Sequence, residues 1–366
     1  MELKAKLLQP QAEFEGIIDI DKESLLKEFD HGKATGEDPR VKLTDDEGEK
    51  VFSWKRGFIN AWTGWPNDGK TDFFTQMSTV KSLYDSWKWA IWSPEMYGSE
   101  KVDGRVVLNA NDLVDEIIWK LYGECPIKNI GDKYGRRLSR SQYIEGILWV
   151  QDHFVFLKPQ DRSMTGVLNT YKKAYDKRDF DGLLIDPFKN ISQDSNERID
   201  RFLEESFADC KQLSLDMDVS FNIIAHPKAN VETVDKDGNR AICDQYKLSG
   251  GAAWNNSMDG IYSILRPNKH RDPKDRTTNF LNLKQRKQHL VAVSGTCGNI
   301  RKDIQTSRYI INGFDPFVNK EPVKFEEKQY VLPIAPNNFE SKNLNLKTGD
   351  FEDDNVWIKP TDKSPF

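Results

Sequence analysis

The amino-acid sequence predicts an α/β fold: a mainly parallel central sheet flanked by helices. Three observations lead there. Between Phe52 and about Phe314, short apolar runs alternate with helical stretches, as in sheets whose strands are joined by crossover helices. One of these runs, "FINAWTG", leads into "GWPNDGKT" (Gly64–Thr71), and an amphipathic stretch follows. Charged residues also sit just past the ends of several apolar runs, where open α/β sheets gather ligands.

The elements follow in order. Residues 1–50 are charged and rich in turn residues, and read as an arm too short to bury its own core. Within it, "DKESLLKEF" (Asp21–Phe29) has the spacing of a short amphipathic helix, with Leu25, Leu26 and Phe29 on one side. Residues 51–314 form the α/β core. Its first strand is "FINAWTG", followed by the glycine-bearing loop and the helix "TDFFTQMSTVKSLYDS". Three further strands are "KWAIWSPE", "DGLLIDP" and "SFNIIAHP"; "GIYSILRP" and "NFLNLKQRK" come late in the core. Residues 315–366 read as an irregular, partly acidic tail.

Bulk properties exclude some classes. The chain has 366 residues, 37% of them hydrophobic, and a net charge of -5. Any nucleic-acid site must therefore be a local patch on an acidic body. Cys125, Cys210, Cys243 and Cys297 are scattered with no C-x-x-C pair. They read as free thiols of a reducing, cytoplasmic compartment. No apolar run has the length of a signal peptide or a membrane span, so no membrane partner is expected.

"GWPNDGKT" fits G-x-x-x-x-G-K-[ST], a loop whose backbone N–H groups and following helix dipole cradle phosphates. Its candidate nucleotide-binding residues are Gly64, Pro66, Asn67, Asp68, Gly69, Lys70, Thr71 and the adjoining Asp72. Lys70 has the length to reach the β- and γ-phosphates, and the Thr71 hydroxyl suits Mg²⁺. The expected ligands are ATP, or another NTP or dNTP, with Mg²⁺. Asp186 ends the strand "DGLLIDP"; it either caps the next turn or holds the Mg²⁺ water shell opposite Thr71. Glu95 lies just past "KWAIWSPE". It is either a residue of a first helical turn or the base that orients the attacking water.

His226, at the end of "SFNIIAHP", is either a hydrogen-bonded structural histidine or a reader of the γ-phosphate. Lys284 and Arg286 share one face of a strand, because the side-chain period is two. They are either a solvated edge or a finger that neutralises transition-state charge in a neighbouring subunit. Long polar segments follow Asp186 and His226. Their cations Lys189, Arg198, Lys228, Lys236, Arg240 and Lys247 are either solvated charge or a phosphodiester track.

Taken together, the phosphate loop, "SPEM", "LLIDP", "IIAHPK", "LSGGAAWNNSMDGIYSILR" and "LKQRK" occur in an order that resembles the RecA-fold ring helicases of replication. These are the DnaB type, the helicase half of phage primase–helicases, and Twinkle. The resemblance covers roughly residues 50–314. It implies a RecA-like ATPase core that translocates on single-stranded DNA as a hexameric ring, with active sites between subunits. It implies that Glu95 is the catalytic base, Asp186 the Mg²⁺-water carboxylate, His226 the γ-phosphate sensor, and Lys284 and Arg286 the trans-acting finger.

The loops after Asp186 and His226 would grip the strand, and "DKESLLKEF" would pack on a neighbouring subunit. The acidic, aromatic-ended tail is either a plain disordered end or a segment that docks a primase or polymerase. The chain departs from the family at Leu248-Ser249-Gly250-Gly251, where several members carry an arginine before the glycine turn. With a short arm in place of a primase or collar domain, it has the form of a stripped-down core suited to a phage. A recombinase or loader forming DNA-bound filaments, and a nucleotide-gated clamp with little turnover, are the alternatives; a small-molecule kinase fits the late cation pair and the long loops less well.

Overall fold

Side-chain alternation along the strand Ile59–Gly64 (β1) decides which helix covers which face of the sheet. Ile59 and Ala61 point into a core that contains Phe207, Cys210 and Leu213, whereas Trp62 points the other way, onto Phe73, Phe74 and Met77. The computed structural model describes residues 20–102, 105–193, 198–228, 232–234 and 239–318. Preceding β1 is the helix α1 (Lys22–His31). After it come α2 (Lys70–Asp85), β2 (Trp89–Trp92), a hairpin of β3 (Gly98–Val102) and β4 (Arg105–Asn109), α3 (Asn111–Tyr122), α4 (Lys128–Tyr134), α5 (Arg140–His153) and β5 (Phe154–Phe156). The second half holds α6 (Met164–Tyr175), β6 (Gly182–Ile185), α7 (Ile199–Asp216), β7 (Ser220–Ile224), α8 (Gly251–Ser257), β8 (Gly260–Leu265), β9 (Thr277–Gln285), β10 (Gly295–Asp303) and β11 (Arg308–Ile311).

Among the described residues, the main sheet has nine strands in the order β11-β10-β9-β8-β1-β7-β6-β2-β5. From β8 to β5 every neighbouring pair is parallel; β9, β10 and β11 extend the β8 edge in antiparallel fashion. The expected parallel sheet is therefore present, with an antiparallel edge added. The parallel strands are buried on both faces, which explains their near-continuous apolar runs. One face carries an aromatic cluster of Phe52, Trp54, Trp62, Phe74, Trp89, Tyr262 and Phe280, with ring centroids mostly 5–6 Å apart.

The packed body starts ahead of residue 51. Val41 and Leu43 are buried in the same core as Val51, Phe52 and Trp54, and Glu37 pairs with Trp54 across an isolated bridge. The arm helix α1 is different. Asp21 caps it, accepting from the amides of Glu23 and Ser24, but none of its residues is buried. Leu25 and Leu26 are half exposed and Phe29 is 86% exposed, so the expected amphipathic helix presents its apolar side to solvent. The tail beyond Val318 lies outside the described residues.

Candidate nucleotide site at the carboxyl edge of the sheet

Four adjacent parallel strands deliver the site. β1 ends in the phosphate loop, β7 leads to His226, β6 to Asp186, and β2 to Ser93 and Glu95. All four arrive at the carboxyl edge, where helix N-termini and loop amides also point. Backbone conformation explains the glycines of the loop. Gly64 has φ of 148°, and a Cβ there would come 2.3 Å from the Ile264 carbonyl oxygen. Gly69 has φ of 90° and leads directly into α2. Only glycine fits both requirements without strain.

Lys70 is buried, and its Nζ donates to the carbonyls of Gly64 (3.0 Å) and Trp65 (3.2 Å). Burial lowers its pKa, and Asp68 and Asp186 act against that shift. The amine thus curls back over its own loop. Thr71 Oγ1 donates to Asp186 Oδ2 at 2.8 Å, and Ser93 Oγ donates to the same oxygen at 3.0 Å. Burial pushes the Asp186 carboxyl up to about 6, against the two hydroxyl hydrogen bonds that favour its charged form.

This is a buried carboxylate with two hydroxyls and a strand end around it. Its donor chemistry fits Mg²⁺, which takes one or two protein oxygens and completes its shell with water and phosphate. Thr71 and Asp186 are the residues that would hold the ion. Ser93 joins them and was missed in the sequence, although "WSPE" placed it two residues before Glu95.

Glu95 faces this group from the solvent side. Its Oε1 is 2.6 Å from Lys189 Nζ, and its Oε2 is 3.9 Å from His226 Nε2. Burial lowers the His226 pKa to about 4; Lys70 and Lys189 push the same way and Glu95 opposes them. His226 is accordingly a neutral imidazole at physiological pH. Glu95, Asp186, His226, Lys70 and Thr71 are therefore brought together, as the motif order implied.

Other candidate residues take other places. Asp68 is fully buried and pairs with Arg240 and Lys269, while the Pro66 carbonyl accepts from Lys269. Asn67 has a left-handed φ of 61°. Asp72 turns away from the loop to Lys120, Lys302 and the Tyr309 hydroxyl. Burial raises its pKa, but the two ammonium groups outweigh it and hold the carboxyl well below its usual range. Of the six candidate track cations, Arg240 is buried in an ion pair, Lys189 holds Glu95, and Arg198 pairs with Asp200. Lys236 lies outside the described residues.

Lys284 and Arg286 lie elsewhere. Both reach the turn between α8 and β8: Lys284 Nζ donates to the Met258 carbonyl at 2.7 Å and to that of Asn255, and Arg286 binds Asp259 and the Asn256 carbonyl. Asp259 also accepts from the Ile59 amide at the start of β1 and from Lys211. The shared face expected from strand period is present. The two cations stand at the amino edge of the sheet, roughly 15 Å along β1 from the phosphate loop at about 3.3 Å per residue.

A mostly parallel sheet, nine-stranded among the described residues, with the glycine-bearing loop at the carboxyl end of β1, defines an α/β core. More particularly, the fold is the RecA fold of replicative-helicase ATPase domains. A solved ATPase domain superposes with a TM-score of 0.61 at 13% identity, covering 78% of this chain and 96% of that one. A DnaB-like replicative helicase, solved in a study of its interactions with primase, gives 0.60 at 14% identity, covering 84% and 70%. In sequence, the chain is 25% identical over 226 residues to the Twinkle homolog protein, chloroplastic/mitochondrial, of Arabidopsis thaliana. That match spans 60% of this chain and 29% of the plant protein's length. No protein-family model matches the chain. Among the described residues, no helix is long and apolar enough to cross a membrane.

Proposed function

We propose that this chain is an ATP-driven helicase or translocase that moves on single-stranded DNA as a hexameric ring and hydrolyses Mg²⁺-bound nucleotide between subunits. One observation carries the reading. Lys284 and Arg286 stand at the edge of the sheet opposite the phosphate loop, so they cannot serve their own chain's nucleotide. Stacked head to tail, each chain would offer this amino edge to the carboxyl edge of the next. Such heterologous contacts close into rings where the rotation between neighbours closes, and run on as filaments where it does not. The resemblance to replicative helicases and to the plant Twinkle homologue supports the choice of single-stranded DNA as the track.

In this reading Lys70 leaves the carbonyls of Gly64 and Trp65 for the β- and γ-phosphates. The loop amides and the α2 N-terminus bind the remaining oxygens. Thr71 and Asp186 hold Mg²⁺, which neutralises charge on the phosphates when bound. Glu95, released from Lys189, orients the attacking water and takes its proton. His226 bridges the γ-phosphate position and the polar segment behind it. The neighbour's Arg286 and Lys284 complete the charge neutralisation, so hydrolysis depends on the interface. The exposed apolar side of α1 is the element proposed to pack on an adjoining subunit.

Nucleotide hydrolysis, measured with and without single-stranded DNA across protein concentrations, tests the proposal. Strong DNA stimulation with a steep dependence on protein concentration is expected. Turnover per chain that ignores both DNA and concentration would remove the motor reading.

A further inference from the structure

The phosphate loop is gripped from behind by a cluster that the nucleotide chemistry does not use. Asp68 and Arg240 have no side-chain exposure, and Arg240 Nη1 donates to both Asp68 oxygens at 2.9 and 3.0 Å. The same Nη1 donates to the Arg266 carbonyl at 2.7 Å, and Nε donates to Glu232 at 2.6 Å. Lys269 adds a contact to Asp68 at 3.3 Å and donates to the Pro66 carbonyl at 2.5 Å. Arg240 Nη2 is buried with no hydrogen-bond partner.

Arg240 also pairs with Val234 across an isolated antiparallel bridge, within the polar segment that follows His226. The next residues hold the same loop from the side. Trp65 Nε1 donates to the Ala241 carbonyl at 2.7 Å, and Thr63 Oγ1 lies 3.4 Å from Cys243 Sγ. Any movement of this bridge and the residues just after it therefore reaches Thr63, Trp65 and Asp68 together. A buried ion pair is a poor source of net stability, because desolvation offsets the attraction. A guanidinium fork shared among a carboxylate, a carbonyl and a second carboxylate does fix direction.

We infer that Arg240 is a positioning residue that couples the Val234–Arg240 bridge, in the segment after His226, to the phosphate loop through Asp68. The inference rests on the proposal that this segment takes the DNA strand. A strand that shifts this bridge then shifts the loop proposed to hold the phosphates. By linkage, bound nucleotide must change affinity for the strand by the same factor that the strand changes affinity for nucleotide.

The test uses the full chain and two ligands, a non-hydrolysable Mg²⁺–ATP analogue and an oligothymidylate. Each Kd is measured with and without the other ligand. In the wild type, both pairs are expected to give one common coupling factor. In Arg240→Gln that factor falls to near one, while each ligand's separate Kd stays within about threefold. Arg240→Lys recovers part of it.

Wild-type coupling in folded Arg240→Gln would overturn the inference and leave the motor reading standing. A wild type with no coupling would remove the motor reading and this inference with it. If circular dichroism shows that Arg240→Gln does not fold, Arg240→Lys carries the test, since it keeps Asp68 neutralised. A lysine cannot serve Asp68, the Arg266 carbonyl and Glu232 at once, so its coupling factor is expected at least about threefold below wild type. An undiminished factor overturns the inference.

Discussion

Arg286 Nη1 lies 3.2 Å from Asp259 Oδ1, and Asp259 Oδ2 accepts from the Ile59 amide at the foot of the very strand that ends in the phosphate loop. One strand thus carries the nucleotide loop at its top and, through Asp259, a cation anchor at its base. In the proposed ring, the two ends of β1 would be the two halves of a site that a second chain brings together.

Arg286→Ala is expected to keep nucleotide binding and to lose DNA-stimulated hydrolysis by about a thousandfold, the usual worth of an arginine finger. Lys70→Ala is expected to abolish turnover. Mixing the two variants separates a trans site from a cis one. In the proposed ring, mixed assemblies would contain junctions with an intact Lys70 from one chain and an intact Arg286 from the next, so hydrolysis should recover when the inactive proteins are combined. Steady-state phosphate release on mixing is the measurement. Normal hydrolysis by Arg286→Ala alone would end the finger assignment.

Asp186→Asn should move function and stability in opposite directions. The folded carboxyl is raised to about 6, against an ordinary value near 4. Between those values the folded state holds the proton more tightly than the unfolded chain, so this group's contribution to stability falls as pH rises through the window. Above pH 6 the buried charge costs about 1–3 kcal/mol, which asparagine removes while still accepting from Thr71 or Ser93. Urea unfolding in EDTA should find the variant more stable at pH 8 and equal to wild type at pH 4. Mg²⁺-dependent hydrolysis should be lost.

Much of this site was legible because its chemistry sits at strand ends. Glu95, Asp186 and His226 each follow a run of buried apolar residues, and periodicity marks where such runs stop. Ser93 was harder to see, since a serine carries no signal until its hydroxyl is found on Asp186. The role of Asp68 was invisible, because its partner Arg240 is 172 residues away and reads as a surface cation. The antiparallel edge escaped for a different reason. β10 is "GTCGNIRKD", with glycines and charges that break any alternation, and its pairing with β9 contains an irregularity. β5 spans only three residues, too few for a period.

Leu43→Ala is expected to cost about 2–4 kcal/mol in global stability. Leu43 is 1% exposed and packs in the core that holds Phe52 and Trp54, although its surroundings in sequence are those of a charged arm. Phe29→Ser should leave the unfolding free energy within about 0.5 kcal/mol, as befits an exposed position. It should weaken subunit association if α1 docks on a neighbour. Urea unfolding together with sedimentation distinguishes the two effects. Equal losses of stability in both variants would contradict the division between a packed segment and a free helix.

His226 gives the sharpest pH dependence. Its imidazole is held neutral, with a pKa lowered to about 4 by burial and by the ammonium groups of Lys70 and Lys189, with Glu95 opposing. In the unfolded chain a histidine takes its proton near 6.5. Between these values the unfolded state binds more protons, so stability is intact above pH 6.5 and is lost as pH falls toward 4. The loss from this group reaches about 3 kcal/mol at the bottom of the window. His226→Gln, which keeps an amide in place of the ring and cannot charge, should flatten that part of the curve. Thermal melts at pH 4.5, 5.5, 6.5 and 7.5 should converge for variant and wild type at the top of the range and separate at the bottom, with the variant the more stable in acid. Hydrolysis at pH 7.5 reports separately on the γ-phosphate. There the two proteins have equal stability, so a drop in DNA-stimulated turnover in the variant belongs to phosphate sensing and not to unfolding. Unchanged turnover at that pH would make His226 a structural histidine.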